Sequence, residues 1–149
     1  MPQITNQTLT VLVVDQNKET HFVIKEAIRE AHKQTDIKYL AGKGELLDYL
    51  LRRNFYENCT DELPNIILLN VNDMCSSEIL ELNYLKDNVL LKHVKIFVLS
   101  KNLNQGNFRN CLEININGIY ITATVKERLR LTVIEIIKRY FALIGIKRE

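Results

Sequence analysis

Four apolar runs in this chain each end in residues able to do chemistry. Thr10–Asp15 ends in Asp15-Gln16, and Asn65–Asn70 ends in Asn70-Val71-Asn72. Lys95–Ser100 leads to Ser100-Lys101-Asn102, and Gly118–Thr122 to Thr122-Ala123-Thr124. Brought to one edge of a sheet, this acid, these amides and these hydroxyls could hold a polar ligand or a cation, or carry a group transfer. The set is poor for each. Asp15 is the one carboxylate at a strand end proper, with Asp73 slightly beyond. Magnesium needs several oxygen ligands in octahedral geometry, so a single acid is a weak site. No histidine stands at these ends to act as a base, and Lys18 and Lys101 are expected to point to solvent.

Nucleotide chemistry fares no better. Gly42-Lys-Gly44 lacks the third glycine of a dinucleotide loop and follows the second strand instead of the first. There is no GxxxxGK[ST] element, and Gln16-Asn-Lys-Glu-Thr20 is not the Ser/Thr-rich cradle of a flavin phosphate. His21, His32 and His93 are scattered. Cys59, Cys75 and Cys111 are odd in number without a CxxC pair, which speaks against a disulfide framework or zinc and for a reducing cytoplasm.

The elements that must position these residues follow from periodicity. The runs Thr10–Asp15, Ile37–Ala41, Asn65–Asn70, Lys95–Ser100 and Gly118–Thr122 are apolar enough for strands buried on both faces. Between them lie helical patterns: Lys18–Lys33 behind the N-cap candidate Asn17, Glu45–Arg53, a segment with Ile79, Leu80, Leu82 and Leu85, and a weaker one over Asn104–Ile114. A long helix, Val125–Ile146, closes the series, and Asn54–Pro64 is a polar loop. Alternation of this kind predicts a (βα)₅ three-layer α/β sandwich of flavodoxin-like form, with a parallel five-stranded sheet in order 2-1-3-4-5. The expectation is a single domain over residues 1–149 with its core at about 10–140.

Composition excludes several classes. Hydrophobic residues are 46% and charged residues 26%, an ordinary globular balance. A formal net charge of +2 nominates neither nucleic acid nor an acidic membrane as partner. The N-terminus lacks a signal-peptide pattern and no apolar run approaches a membrane span, so a cytoplasmic protein is expected.

Val11-Leu-Val-Val-Asp15, Pro64-Asn-Ile-Ile-Leu-Leu-Asn70-Val-Asn72, Ile96-Phe-Val-Leu-Ser100 and Gly118-Ile-Tyr120 together resemble the receiver domain of two-component response regulators. The resemblance runs from about Thr10 to Tyr140. The Asn54–Pro64 loop and the long last helix are similar to the stand-alone regulators that partner phytochrome-type histidine kinases, and with the sequence ending soon after that helix no attached output domain is expected. The resemblance places the magnesium-holding acids at Asp15 and Gln16, the phospho-accepting aspartate at Asn70, the fourth-strand hydroxyl at Ser100, the switch aromatic at Tyr120 and the invariant lysine at Ala123. Three of these have lost their chemistry: Gln16, Asn70 and Ala123. Met74 also stands where a proline is usual.

A carboxamide cannot serve as the carboxylate nucleophile that aspartyl phosphorylation requires. Loss of the acid at Asn70 together with the lysine at Ala123 leaves neither charge unpaired in a partly buried pocket. The expectation is a pseudo-receiver: non-enzymatic, without a magnesium site or other cofactor, and acting through a histidine kinase or another signalling protein. Asp15 and Asp73 are the only substitute phosphoacceptors. The alternative is a small-ligand-binding or enzymatic domain using Asp15, Asn70, Ser100 and Tyr120. Finally, Val125, Leu129, Val133, Ile136, Ile137, Tyr140, Leu143 and Ile144 of the last helix fall within a core-facing arc of about 120°, and Ile134 and Phe141 lie beside it. They are candidates for a homodimer interface, since receiver-like domains commonly dimerise through the fourth helix, fifth strand and fifth helix.

Overall fold

The computed structural model describes residues 8–42, 44–71, 84, 88–89, 92–100, 116–121 and 125–145. The expected third and fourth helices, Asp73 and Ala123 lie outside them. Five parallel strands, β1 (Leu9–Asp15), β2 (Thr35–Leu40), β3 (Ile66–Val71), β4 (Lys95–Ser100) and β5 (Gly118–Ile121), form one sheet in the order β2-β1-β3-β4-β5. This is the expected topology.

Strand alternation explains the two cores. Leu9, Val11 and Val13 of β1 face one layer with Ile66, Leu68, Phe97 and Leu99. Leu12 and Val14 face the other with Ile67, Leu69, Ile96 and Val98. With both faces covered, a strand needs apolar residues at every position, which is why β1, β3 and β4 are unbroken apolar runs.

Helix α1 (Lys18–Ala31) covers the first face with Ile24, Ala27, Ile28 and Ala31. Asn17 caps it, its side chain accepting from the Glu19 N–H at 2.9 Å. Helix α2 (Glu45–Leu51) covers the second face with Leu46, Tyr49 and Leu50. It stops two residues short of the expected end because Arg52 turns into the left-handed region at φ 55°. A 3₁₀ turn, Asn54–Tyr56, then occupies the start of the polar loop.

The C-terminal helix α3 (Lys126–Leu143) lies beside α1 on the first face and buries Leu129, Val133, Ile136, Ile137, Tyr140 and Phe141. This corrects the expected stripe. Phe141 is 4% exposed, with its ring 5.1 Å from that of His32 at the end of α1, and Ile134 is half-buried against the same core. Val125, Leu143 and Ile144 are exposed instead. The buried arc is rotated toward α1, because α3 packs against that helix as well as the sheet. Phe141 therefore has no surface to offer a second copy, and the pair Ile134/Phe141 does not form an interface patch.

Two asparagines set strand register at the N-terminal edge of the sheet. Asn65 Oδ1 accepts from the Thr10 N–H at 2.9 Å while its own N–H donates to the Thr10 carbonyl at 2.8 Å. Asn117 treats Ile96 in the same way, at 2.8 and 2.7 Å. Each adds a rung to the ladder before its strand begins.

Candidate functional site

The parallel ladder brings Asp15 and Asn70 side by side as register partners at the carboxyl ends of β1 and β3. Ser100 follows at the end of β4, buried and paired in register with Val71 and Ile121. Of the expected site residues, Asp15, Asn70, Ser100 and Tyr120 lie on neighbouring strands, and Gln16 is exposed beyond the end of β1.

Asp15 is 3% exposed, a carboxylate out of water that needs partners. It has them within the chain. Oδ1 accepts from the Asn17 N–H at 2.9 Å. Oδ2 accepts from the Asn70 side-chain amide at 3.1 Å and from the Thr20 hydroxyl. Thr20 also lies 2.8 Å from the Asn17 carbonyl, so its oxygen is fixed in the first turn of α1. His21 Nε2 contacts the Asp15 carbonyl at 2.9 Å, and its ring stacks on Tyr39 at 4.6 Å. Asp15 thus ties β1, the start of α1 and β3 together.

The donor set bears directly on a metal. Magnesium requires oxygen acceptors aimed at one point. Here Asn70 turns a donor toward Asp15, both Asp15 oxygens already accept protein hydrogen bonds, and Gln16 offers at most a neutral amide. These residues do not suit a hard dication. Among the described residues, no three His, Cys, Asp or Glu side chains come together as a ligand group.

Tyr120 turns inward. Its ring packs on the α1/α3 face with the Phe97 ring 6.4 Å away. Burial, reinforced by the charge of Glu135, raises its phenol above the ordinary value. Gly118 makes room for it: a Cβ there would stand 2.9 Å from Tyr120 Cε2 and 3.1 Å from Phe97 Cδ1.

Sequence reasoning missed Thr20, the Asn17 N–H and His21 as partners of Asp15. The signal for the first two was present, since a cap residue and a threonine one turn into a helix sit close to the strand end before it. Nothing in the spacing pointed to His21.

The sheet order defines the class of fold: this is the CheY-like receiver fold. The phosphorylated cyanobacterial phytochrome response regulator RcpA matches with a TM-score of 0.79 at 20% identity, over 92% of this chain and 96% of its own. The Mn²⁺-bound form of response regulator Rcp1 gives 0.76 at 21% identity, over 95% and 99%. The chemotaxis response regulator CheY4 of Vibrio cholerae gives 0.65 at 13% identity, over 90% and 99%. At such identities the likeness establishes the fold. No family model and no curated protein matches the sequence.

Proposed function

We propose that this chain is a two-component signalling module that acts in the cytoplasm by docking to a histidine kinase or another signalling protein, without accepting a phosphoryl group at Asn70. The observation that carries the reading is the hydrogen bond from the Asn70 amide to Asp15 Oδ2. Phosphorylated and Mn²⁺-bound states are described for RcpA and Rcp1 respectively. In this chain, a backbone N–H, a hydroxyl and an amide already satisfy the Asp15 carboxylate, the one buried acid among the described residues. A cation would have to strip those bonds, and the carboxamide offers no anionic oxygen to attack phosphorus. A site satisfied in this way supports a fixed docking surface over a switch driven by phosphate.

Treatment with acetyl phosphate and magnesium, followed by intact-mass measurement, tests the proposal. The expected result is an unchanged mass. A product heavier by one phosphoryl group in good yield overturns it, and peptide mapping then shows whether Asp15 or Asp73 was the acceptor.

A further inference from the structure

Two exposed aromatic side chains lie on opposite layers of the sandwich. Phe22 on α1 is 65% exposed and Phe55 in the 3₁₀ turn is 91% exposed. Helix α1 packs on one face of the sheet, whereas Tyr56, next to Phe55, packs with α2 on the other.

Phe55 stands on a built platform. Its ring meets Tyr56 edge-on at 5.2 Å, and Tyr56 meets Tyr49 edge-on at 5.3 Å. The Tyr56 hydroxyl donates to Glu45 at 2.7 Å and the Tyr49 hydroxyl to Asp61 at 3.0 Å. Arg52 lies over the Tyr49 ring and donates to the carbonyls of Tyr49 and Asp61. Arg52 and Asn54 both hold positive φ, at 55° and 53°. Asparagine adopts that conformation readily, whereas for arginine it is uncommon and is held here by the bonds of Arg52 to the two carbonyls. A pre-ordered aromatic loses little freedom on docking, and aromatic anchors concentrate binding energy.

The charges around the two rings are complementary. Near Phe55, Asp48 pairs with Arg53 and Asp61 with Lys38, while exposed Glu57 and Glu62 have no ion pair among the described residues. On α1, helical geometry places Lys18, Phe22, Lys25 and Arg29 within an arc of about 60°. Those three cations have no ion pair among the described residues, whereas Glu30 on the far flank is held by Arg130 at 2.5 Å. Glu19 and Glu26 border the stripe beyond Phe22, and the exposed Arg53 beside the turn is a cation they can face. A two-fold contact of the Phe55 turn would bring its unpaired acids together, whereas the cations of α1 complement them.

We propose that the Phe55 turn of one copy docks on the Phe22 stripe of α1 in a second copy, head to tail. The patches lie on opposite layers, so both can be engaged at once, and a heterologous contact of this kind grows into open chains. Exposed charge pairs contribute little individually, so the association is weak and strongly salt-dependent.

Sedimentation at up to about 500 μM protein, in about 20 mM and about 500 mM salt, reads the effect. The wild type should form species larger than dimers at low salt and revert to the 17.4 kDa monomer at high salt. Two variants, Phe22→Ser with Arg29→Ser and Phe55→Ser with Glu57→Ser, change exposed side chains only. Each should be monomeric alone, with an unaltered circular dichroism spectrum. Mixed in equal amounts they should form a dimer and stop there, because each retains the patch the other lacks. A monomeric wild type at low salt, a self-associating single variant, or a mixture that stays monomeric overturns the proposal.

Discussion

The Asn70 amide donates to the Asp15 carboxylate at 3.1 Å between two residues that are register partners 55 positions apart in the chain. Geometry of this kind suits an acid and an amide and penalises two acids. Asn70→Asp would place a second carboxyl within hydrogen-bond reach of the first, replacing a donor with a like charge. The introduced carboxyl is then held neutral above its usual range. A raised carboxyl lowers stability as pH climbs from the ordinary carboxylate value through the raised one, because the unfolded chain ionises first. The variant should match the wild type near pH 4 and lose on the order of 1–3 kcal/mol by pH 7. Denaturant melts across that range measure it. The substitution alone should not restore efficient phosphotransfer, because Gln16 and Ala123 still stand where the resembled family has an acid and a lysine.

Alkaline behaviour should single out the platform under Phe55. Burial and the bond to Glu45 push Tyr56 up to about 12, and burial with the bond to Asp61 raises Tyr49 further. Both phenols start from 10.0 when unfolded, so the unfolded chain ionises first. Their contribution to stability is complete below pH 10 and is lost as pH rises through the folded values. Thermal melts should decline steadily over that window. Phenolate absorbance should show both residues titrating late, and Tyr56→Phe should remove one late step. A single early step for all tyrosines would contradict this.

The strands were legible because burial on both faces forces continuous apolar runs, and Asp15, Asn70 and Ser100 were legible because those runs end at them. What the pattern does not carry is how polar side chains satisfy one another. Thr20 and the Asn17 N–H read as the start of a helix, and their second task, holding Asp15, depends on where α1 departs from β1. Asn65 reads as the first residue of its run and Asn117 falls just outside its own, and neither position reveals that its side chain clamps a neighbouring strand. Helical arithmetic found most of the buried face of α3 and missed its rotation, because periodicity does not say which second helix lies alongside. His32, one of three histidines scattered in the sequence, is buried against Phe141.

That rotation gives a direct contrast between two residues of α3. Phe141 is 4% exposed and Leu131 is 53% exposed. Truncating a buried phenylalanine loses its transfer free energy and leaves a cavity, so Phe141→Ala should cost about 3–5 kcal/mol. Leu131→Ala should fall within about 0.5 kcal/mol of the wild type. Equal, small losses in denaturant titrations would place Phe141 at the surface after all.

The last expectation concerns Gly118 and Tyr120. A Cβ at Gly118 would lie 2.9 Å from Tyr120 Cε2, closer than real Cβ atoms tolerate, and a tight 3.3 Å from its hydroxyl. Gly118 carries no positive φ, so the objection to a side chain there is crowding, chiefly by the Tyr120 ring and also by Phe97 at 3.1 Å. Gly118→Ala should therefore cost about 1–3 kcal/mol, the usual penalty for overpacking. Tyr120→Ala should also cost stability, since the ring packs on Phe97 and the α1/α3 face. In the double variant the new methyl no longer meets the Tyr120 ring and only the Phe97 contact at 3.1 Å remains, so the two losses should fall short of their sum. A coupling of at least about 0.5 kcal/mol in a double-mutant cycle is expected for residues in direct contact. If the losses add, Tyr120 does not rest over Gly118, and the inward orientation of this aromatic is wrong.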